Sequence, residues 1–232
     1  METRTFGRVR VTLPGLADGY LSNVTSLENS RGTVQDFRYA DADLRDLDLA
    51  HAQLITGRIG NLRAARVRLE DVRADSVEFD GCDLGSAQWV DSKLSRVVFR
   101  NCKIMGANLS GLTLDNVIFE SCRLDYSAFE QVRAAGPVAF SRCVLSEATF
   151  TGCDLTRAVL EDCTLRAAEF GRGTYKDVDL RGNELSGIRG AANLARVIID
   201  RAQEADLGQA LTAELAVTWG DDLPVGGGRV GR

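Results

Sequence analysis

The sequence is poor in the residues from which catalytic and metal sites are usually built. It contains one histidine, His51, and no nucleophile is matched to it as nucleophilic catalysis requires. No glycine-rich phosphate loop follows a strand and opens a helix, and the cysteines do not form the closely spaced pairs of a zinc site. We therefore predict that the chain is not an enzyme and that it binds no cofactor and no metal.

Long apolar runs and a strong net charge are also missing. No run approaches the roughly 18 apolar residues of a membrane-spanning helix, and the polar N-terminus lacks the apolar region of a signal peptide. The formal charge of −5 is modest and does not indicate a nucleic-acid-binding protein. We expect a cytoplasmic protein that binds no membrane and makes no direct contact with nucleic acid.

The feature that the sequence does have is an unbroken five-residue period, in which a large apolar residue recurs and a mostly small or short residue stands two positions before it. The large residues are Phe79, Leu84, Trp89, Leu94, Phe99, Ile104, Leu109, Leu114, Phe119, Leu124 and Phe129. A period of five fits neither an α-helix nor a flat strand. Phenylalanine recurs every 20 residues, at Phe79, Phe99 and Phe119, so four short sides make one turn of a square coil. We predict an all-β solenoid with these residues in its core.

The cysteines follow the same period. Five of them form one ladder, which consists of Cys82, Cys102, Cys122, Cys143 and Cys163. Cys153 takes the same inward position on another side of the coil. Because a buried free cysteine behaves as a small hydrophobic residue, we predict that these thiols belong to the core and bind no metal. Neighbouring coils about 4.8 Å apart leave oxidation of adjacent thiols open as an alternative.

Two five-residue units carry a resemblance to a known family. Residues 42–46 (ADLRD) and 107–111 (ANLSG) resemble the A(D/N)LXX unit of the pentapeptide-repeat proteins. The resemblance extends over about two thirds of the chain, and it implies a right-handed quadrilateral β-helix of pentapeptide repeats. Some members of this family act as DNA mimics on DNA gyrase and other type II topoisomerases and protect them against poisons. The resemblance therefore implies DNA gyrase as one candidate partner.

The charge pattern favours a different reading of function. Mimicry of DNA needs a run of acidic charge, whereas acidic and basic residues alternate along this coil, as at Asp83, Lys103 and Arg123. We therefore predict a non-catalytic β-helical scaffold that binds an unknown protein partner, with the topoisomerase-directed DNA mimic as the alternative. A basic group that includes Arg66 and Arg68 is spread over different sides of the coil, which favours a solvated, mixed surface over a phosphate-binding track.

One outward-facing column stands out as a candidate partner surface. It lies on the phenylalanine side of the coil and consists of Val98, Ile118, Ala139 and Val159. An exposed apolar stripe can mark a contact with another molecule. The alternative is that these residues only reflect the preference of strands for β-branched side chains.

The period breaks down at both ends of the chain and slips once within it, which sets the expected boundaries. Residues 1–31 are expected to cap the first coil, and residues 32–199 are expected to form the β-helix. A one-residue insertion falls within 134–139. Residues 200–219 are expected to include a short helix, and residues 220–232 are expected to be disordered.

The C-terminal helix offers a second candidate surface. Asp200 and Gln203 have the spacing of a helix-capping box. Leu207, Leu211 and Leu215 follow on one face of the helix. This face would either cap the last coil or form a two-fold homodimer contact. The family resemblance also implies end-to-end dimerisation through such a segment.

Overall fold

The computed structural model describes residues 2–28 and 32–222 and shows a β-solenoid of about seven turns with a short helix at its C-terminal end. The strands are β1 (Thr3–Phe6), β2 (Val9–Thr12), β3 (Ser22–Asn23), β4 (Thr33–Ala40), β5 (Asp43–Asp48), β6 (Gln53–Gly60), β7 (Arg63–Glu70), β8 (Arg73–Asp80), β9 (Gln88–Val90), β10 (Lys93–Arg100), β11 (Asn108–Ser110), β12 (Thr113–Glu120), β13 (Ala128–Glu130), β14 (Arg133–Ala134), β15 (Val138–Ser141), β16 (Thr149–Thr151), β17 (Val159–Glu161) and β18 (Glu169–Phe170). Helix α1 spans Glu204–Glu214. Short 3₁₀ turns lie at Asp18–Tyr20, Ala191–Asn193, Arg201–Gln203 and Gly220–Asp222.

The solenoid strands form two parallel sheets. One runs in the order β17, β15, β12, β10, β8, β6, β4 and β3, with β14 also paired to β12. The other runs in the order β18, β16, β13, β11, β9, β7 and β5. Phe79 pairs with Phe99, and Phe99 with Phe119, so the register advances by one full coil between neighbouring strands. This register places like residues directly above one another.

The core is a stack of those inward residues. The rings of Phe79 and Phe99 and those of Phe99 and Phe119 each stack with centroids 4.8 Å apart. Trp89 meets Phe99 edge-on at 5.6 Å from the neighbouring side of the coil. All of the large residues from Phe79 to Phe129, together with the five cysteines of the ladder, are at most 8% exposed. Burial of these apolar side chains on every turn is the main force that holds the coil closed.

Left-handed backbone at the corners explains the five-residue period. The residue two positions after each large residue has a positive φ in most coils, for example Asp91 (49°), Gly111 (65°) and Ser121 (52°). Asp, Asn, Ser and Gly tolerate this conformation better than branched residues do. At Gly111 a side chain would also collide with the carboxylate of Asp91 in the preceding coil. The chain therefore turns once every five residues without losing its register.

The inserted residue is absorbed as a bulge at one corner. The main-chain N–H groups of Ala135 and Gly136 both donate to the carbonyl of Leu114, at 2.8 and 3.2 Å. Beyond the bulge, Val138–Ser141 pair again with β12, and Phe119 lies beside Phe140. The extra residue thus loops out at the corner and leaves the core ladder intact.

The N-terminal segment is arranged differently from the expected cap. Strands β1 and β2 form an antiparallel hairpin, and this hairpin packs on the side of the solenoid rather than over its first coil. The expectation that all of residues 1–31 cover the first coil is therefore wrong. Only the later part reaches that end, where β3 pairs with β4 and Leu27 is buried in the main core. Residues 29–31 lie outside the described residues.

The C-terminal end is closed by α1. The side-chain oxygen of Gln203 accepts a hydrogen bond from the main-chain N–H of Asp200 at 2.7 Å, as the capping box requires. Ala210 is buried and Leu207 packs against the core. Helix α1 ends at Glu214, and a 3₁₀ turn at Gly220–Asp222 occupies the start of the tail that was expected to be disordered. Residues 223–232 of that tail lie outside the described residues.

Candidate interaction surfaces

The apolar column predicted as a partner surface is covered by the protein itself. Its four residues are at most 2% exposed. They are Val98, Ile118, Ala139 and Val159. Phe6 and Val11 of the hairpin pack onto them and are themselves buried. The prediction that this column faces solvent is wrong, because the period shows which side chains leave the coil but not which distant segment lies over them.

The hairpin lies along the axis of the solenoid. Near its open end, the main-chain N–H of Thr12 donates to Oδ1 of Asn116 at 2.8 Å. At its turn, Gly7 packs closely against the side chain of Asp179. Those two contacts are about three coils apart, which is roughly the length of a four-residue strand. The hairpin therefore bridges consecutive coils and closes one side of the square rod.

A buried carboxylate fastens the hairpin. Arg4 donates two hydrogen bonds to Glu120, at 2.7 and 2.8 Å, and the Arg4 guanidinium lies 4.9 Å from the centre of the Phe6 ring. Arg100 and Arg142 also contact Glu120. The hydrogen bonds from Arg4, with support from the other two arginines, lower the pKa of Glu120 to about 2. Glu120 is therefore ionised under all physiological conditions.

Ion pairs between neighbouring coils neutralise much of the remaining charge. Glu78 contacts Arg58 at 3.2 Å and also contacts Arg100. On the first coils, Arg66 and Arg68 lie against acidic residues of the preceding coil, at Asp46 and Asp48. The early arginines thus alternate with acidic residues from coil to coil. This is the mixed surface that the sequence predicts.

The thiols of the cysteine ladder are buried and donate hydrogen bonds to the main chain inside the coil. The thiols of Cys102 and Cys143 donate to main-chain carbonyls of the preceding coil at 3.5 and 3.2 Å. All six cysteines are free and buried. Burial raises the pKa of Cys153 to about 11. Among residues 2–28 and 32–222, no group of three or more His, Cys, Asp or Glu residues is arranged to hold a metal ion.

The single histidine lies at an exposed corner. Nδ1 of His51 is 3.2 Å from Oδ2 of Asp71, and both side chains are more than half exposed. This contact is an exposed ion pair or hydrogen bond of the kind that contributes little to stability.

The side of the rod opposite the hairpin is uncovered by any described segment. Phe99 and Leu109 are half a coil apart, so the strands that carry Leu109 and its counterparts face away from the hairpin. Their sheet continues at its two ends into β7 and β18, where the charged residues Arg68, Glu70 and Glu169 face outward. Its four middle strands are β9, β11, β13 and β16, which pair in parallel and in register. Their outward residues are Gln88, Val90, Asn108, Ser110, Ala128, Glu130, Thr149 and Thr151. Only Glu130 among them is charged. We call this surface the open face.

An exposed aromatic residue borders the open face. Tyr126 occupies the corner just before Ala128, with a φ of 59°, and it is 58% exposed. This surface was not predicted from the sequence, because it contains no column of apolar residues. The detectable signal was the lack of charge in the outward positions, where the other sides carry Arg, Lys, Asp or Glu.

The leucine face of the C-terminal helix is only partly used. Leu207 and Leu211 are partly buried against the core, whereas Leu215 is 74% exposed. Val217 and Trp219 follow and are 42% and 59% exposed. The first two leucines therefore cap the last coil, and the apolar surface beyond them faces solvent.

No helix in the described part of the chain has both the length and the apolar character needed to cross a membrane. A search of curated proteins finds no match to this chain.

Solved structures with a similar architecture include QnrB1, described as a plasmid-mediated fluoroquinolone resistance protein. A trypsin-treated form is 18% identical, with a TM-score of 0.39, over 85% of this chain and 95% of that chain. Full-length QnrB1 is 20% identical, with a TM-score of 0.35, over 77% and 89%. HetL from Nostoc sp. strain PCC 7120, a pentapeptide repeat protein involved in heterocyst differentiation regulation, is 16% identical, with a TM-score of 0.20, over 71% and 86%.

The family model for pentapeptide repeats matches residues 90–120 and 139–174 with eight copies. Those residues lie in the middle of the solenoid, where the five-residue period, the stacked core and the left-handed corners are most regular. The chain therefore contains pentapeptide repeats over these residues, in agreement with the resemblance of its sequence, and it folds as a right-handed quadrilateral β-helix.

Proposed function

We propose that this protein is a non-catalytic scaffold that binds a macromolecular partner through its open face. The observation that carries the proposal is the contrast between two opposite sides of the rod. The hairpin covers one side, whereas the open face has a single charged residue among eight outward positions and no described segment over it.

The chemistry of the open face suits a protein–protein contact. The centres of protein interfaces are depleted in charged residues and enriched in tyrosine. Gln88, Ser110 and Thr149 offer hydrogen-bonding groups at little desolvation cost, and Tyr126 offers a large amphipathic side chain. Because paired strands hold these residues in register, little conformational entropy is lost when a partner binds. A standard interface needs about 800 Å² on each partner, so we expect the open face to be its centre.

Site-specific photocrosslinking tests this proposal. A benzophenone amino acid is placed at Ser110 on the open face and, as a matched control, at Arg166 on the neighbouring side, in cells that express the protein naturally. We expect a discrete crosslinked product from position 110 that is lost with Tyr126→Glu. Equal products from both positions, or none from position 110, would refute the open face as the binding surface.

DNA gyrase is the second candidate partner. In this alternative the protein mimics DNA, binds gyrase or another type II topoisomerase and gives tolerance to topoisomerase poisons. The observation that favours it is the length of the rod. The repeats from Val34 to Leu185 make between seven and eight coils, or about 36 Å at about 4.8 Å per coil, which is roughly the length of one turn of DNA. A supercoiling assay with purified gyrase and a fluoroquinolone separates the candidates. Protection of gyrase activity supports the mimic, and no effect supports another partner.

The apolar surface at the C-terminal end supports a homodimer. Leu215, Val217 and Trp219 are all exposed beyond the part of α1 that caps the core. A two-fold axis through this end would bury the same surface on both copies. We propose that the scaffold is a dimer through these residues, which leaves both open faces free.

The free thiols support a location in a reducing compartment of the cell. Six cysteines are free, and disulfides form mainly in oxidising compartments. We propose that the protein works in the cytoplasm, without direct contact with nucleic acid or membrane. Fractionation of expressing cells, with immunodetection of the native protein, tests this placement.

A further inference from the structure

A cleft of about 500 Å³ lies between the hairpin and the side of the solenoid, beside the one-residue insertion. Its walls are Val9 and Arg10 of β2, the bulge at residues 134–137, and residues within 154–157 of the following coil. All of these residues lie in the described parts of the chain. A cleft of this volume has the size of a small-molecule site.

One edge of the hairpin opens onto this cleft. The main-chain N–H of Leu13 donates to the carbonyl of Glu2 at 2.9 Å, across the hairpin. In an antiparallel pair, successive N–H groups of a strand point alternately towards the partner strand and away from it. The N–H groups of Thr12 and Arg10 occupy the alternate positions, so they point away from β1. The main-chain N–H of Arg10 therefore lies on the free edge of β2, where that edge lines the cleft.

The bulge offers this donor no acceptor. One coil earlier, Oδ1 of Asn116 accepts the main-chain N–H of Thr12 at 2.8 Å. The register between β12 and β15 places Pro137 at the corresponding position of the next coil, and proline has no side-chain acceptor. Within residues 2–28 and 32–222, no group accepts the N–H of Arg10. A ligand with an acceptor atom would satisfy this donor.

Positive charge predominates among the side chains that line the cleft. Arg10 and Arg157 are exposed, and within the described residues neither of them has an ion-pair partner. Asp154 is the single acidic residue of the lining, and its Oδ1 already accepts a hydrogen bond from Oγ1 of Thr156 at 2.6 Å. Two cationic side chains and one anionic side chain give the lining a charge of +1.

The remaining walls of the cleft are apolar. Val9 on one side and Ala134 and Pro137 on the other bring methyl and methylene groups to it. A ligand that matches both kinds of wall therefore has an anionic group and an apolar body.

We propose that the cleft binds a small organic carboxylate with an apolar body. The two guanidinium groups would hold the carboxylate oxygens by charge-assisted hydrogen bonds, with the main-chain N–H of Arg10 as a further donor. One negative charge matches the charge of the lining, whereas a phosphate dianion would exceed it and would face Asp154. The apolar body would pack on Val9 and Pro137 and remove them from water. This site is separate from the open face, and neither proposal depends on the other.

Titration with 2-naphthoate is the most direct test. This probe joins one carboxylate to a flat apolar body, and 2-naphthalenemethanol is its neutral control. The main-chain amide signals of the ¹⁵N-labelled full chain are followed by NMR. We expect saturable shifts of the signals of Arg10 and Thr156, with a Kd of about 1 mM or tighter, and at least tenfold weaker binding of the neutral control. The signal of Ser110, on the open face, should not move.

Protein variants assign the probe to the cleft. The double variant Arg10→Gln and Arg157→Gln should weaken binding at least tenfold, whereas Arg166→Gln, at an exposed position on a neighbouring side, should leave it unchanged. Thermal unfolding of each variant checks that it is folded. No saturable shift at roughly 10 mM probe, equal binding of both compounds, or equal binding to the double variant would overturn the proposal. Binding of 2-naphthyl phosphate at least tenfold tighter than that of 2-naphthoate would identify a phosphate as the anionic group and would also overturn it.

Discussion

The side-chain amide of Gln203 donates a hydrogen bond to the main-chain carbonyl of Leu180 at 2.9 Å, across 23 residues of sequence. The thiol of Cys163 makes the same contact with the carbonyl of Phe140, again across 23 residues. The cysteine ladder is thus a column of donors that satisfy carbonyl groups inside the coil, and an amide takes over that role at its C-terminal end. A buried carbonyl without such a donor would carry a penalty of about 1–3 kcal/mol.

Replacement of Gln203 should therefore destabilise the end of the rod. Gln203 also donates to the carbonyl of Asn183 at 2.6 Å, so Gln203→Leu leaves two buried carbonyls with one donor fewer. We expect a loss of about 1–3 kcal/mol in the free energy of unfolding by urea. Gln209→Leu, on the exposed side of α1, is the matched control and should change it by less than about 0.5 kcal/mol. Equal losses for the two variants would show that the amide has no such role.

Core packing at mid-array should dominate stability. Leu124 is fully buried, and Leu124→Ala should cost about 2–5 kcal/mol because its neighbours in the stack cannot collapse into the cavity. Lys103→Ala, at an outward position one coil earlier, should cost less than about 0.5 kcal/mol. Denaturant midpoints measure both changes, and equal midpoints would contradict the register.

The attachment of the hairpin should weaken in acid. Arg4 is the main cause of the lowered pKa of Glu120, which falls from its usual value of 4.5 to about 2. Because the pKa is lower in the folded state, the stabilisation is complete above the usual value and is lost as the pH falls towards 2. It amounts to about 3 kcal/mol at most.

Urea unfolding between about pH 5 and pH 2 measures this loss. In Arg4→Met the pKa of Glu120 should rise, so less stability remains to be lost and the curve should be flatter than that of the wild type. Glu130→Gln, on the open face, should leave the wild-type curve unchanged. Identical curves for the wild type and Arg4→Met would show that Arg4 does not set the ionisation of Glu120.

The two ends of the leucine face in α1 should respond differently to charge. Leu215→Glu affects an exposed residue, so it should convert a dimer into a folded monomer. Leu211→Glu affects a residue packed on the core, so it should lower the melting temperature as well. Sedimentation velocity and thermal unfolding separate the two effects. A wild type that sediments as a monomer at micromolar concentration would end the dimer proposal.

The periodic features of this protein were predictable from its sequence. The features that depend on contacts between distant segments, which occur only once, were not. Phe99 and Cys102 repeat their environment in each coil, so the core can be read from the period alone. Val98 and Ile118 also lie where the period predicts, on the outer surface. Their covering by Phe6 could not be predicted, because that contact joins residues more than 90 positions apart without any repeat.

The open face was not predicted from the sequence, for a related reason. A search for apolar columns selects Val98 and its neighbours, which the protein uses internally. Polar, uncharged residues such as Ser110 and Thr149 resemble ordinary surface residues until the covered side is known. The importance of these residues comes from their position opposite the hairpin, which only the structure gives.

Thiol accessibility tests the division of the rod into a covered side and an open side most directly. The native cysteines are buried, so one cysteine is introduced by Ile118→Cys under the hairpin or by Ser110→Cys on the open face, and its rate of maleimide labelling is measured. We predict that position 110, which is only partly buried, is labelled readily, and that position 118 reacts at least roughly a hundredfold more slowly. Addition of Arg4→Glu should speed the reaction at position 118 alone. Equal labelling rates at the two positions in the otherwise wild-type protein would contradict the account.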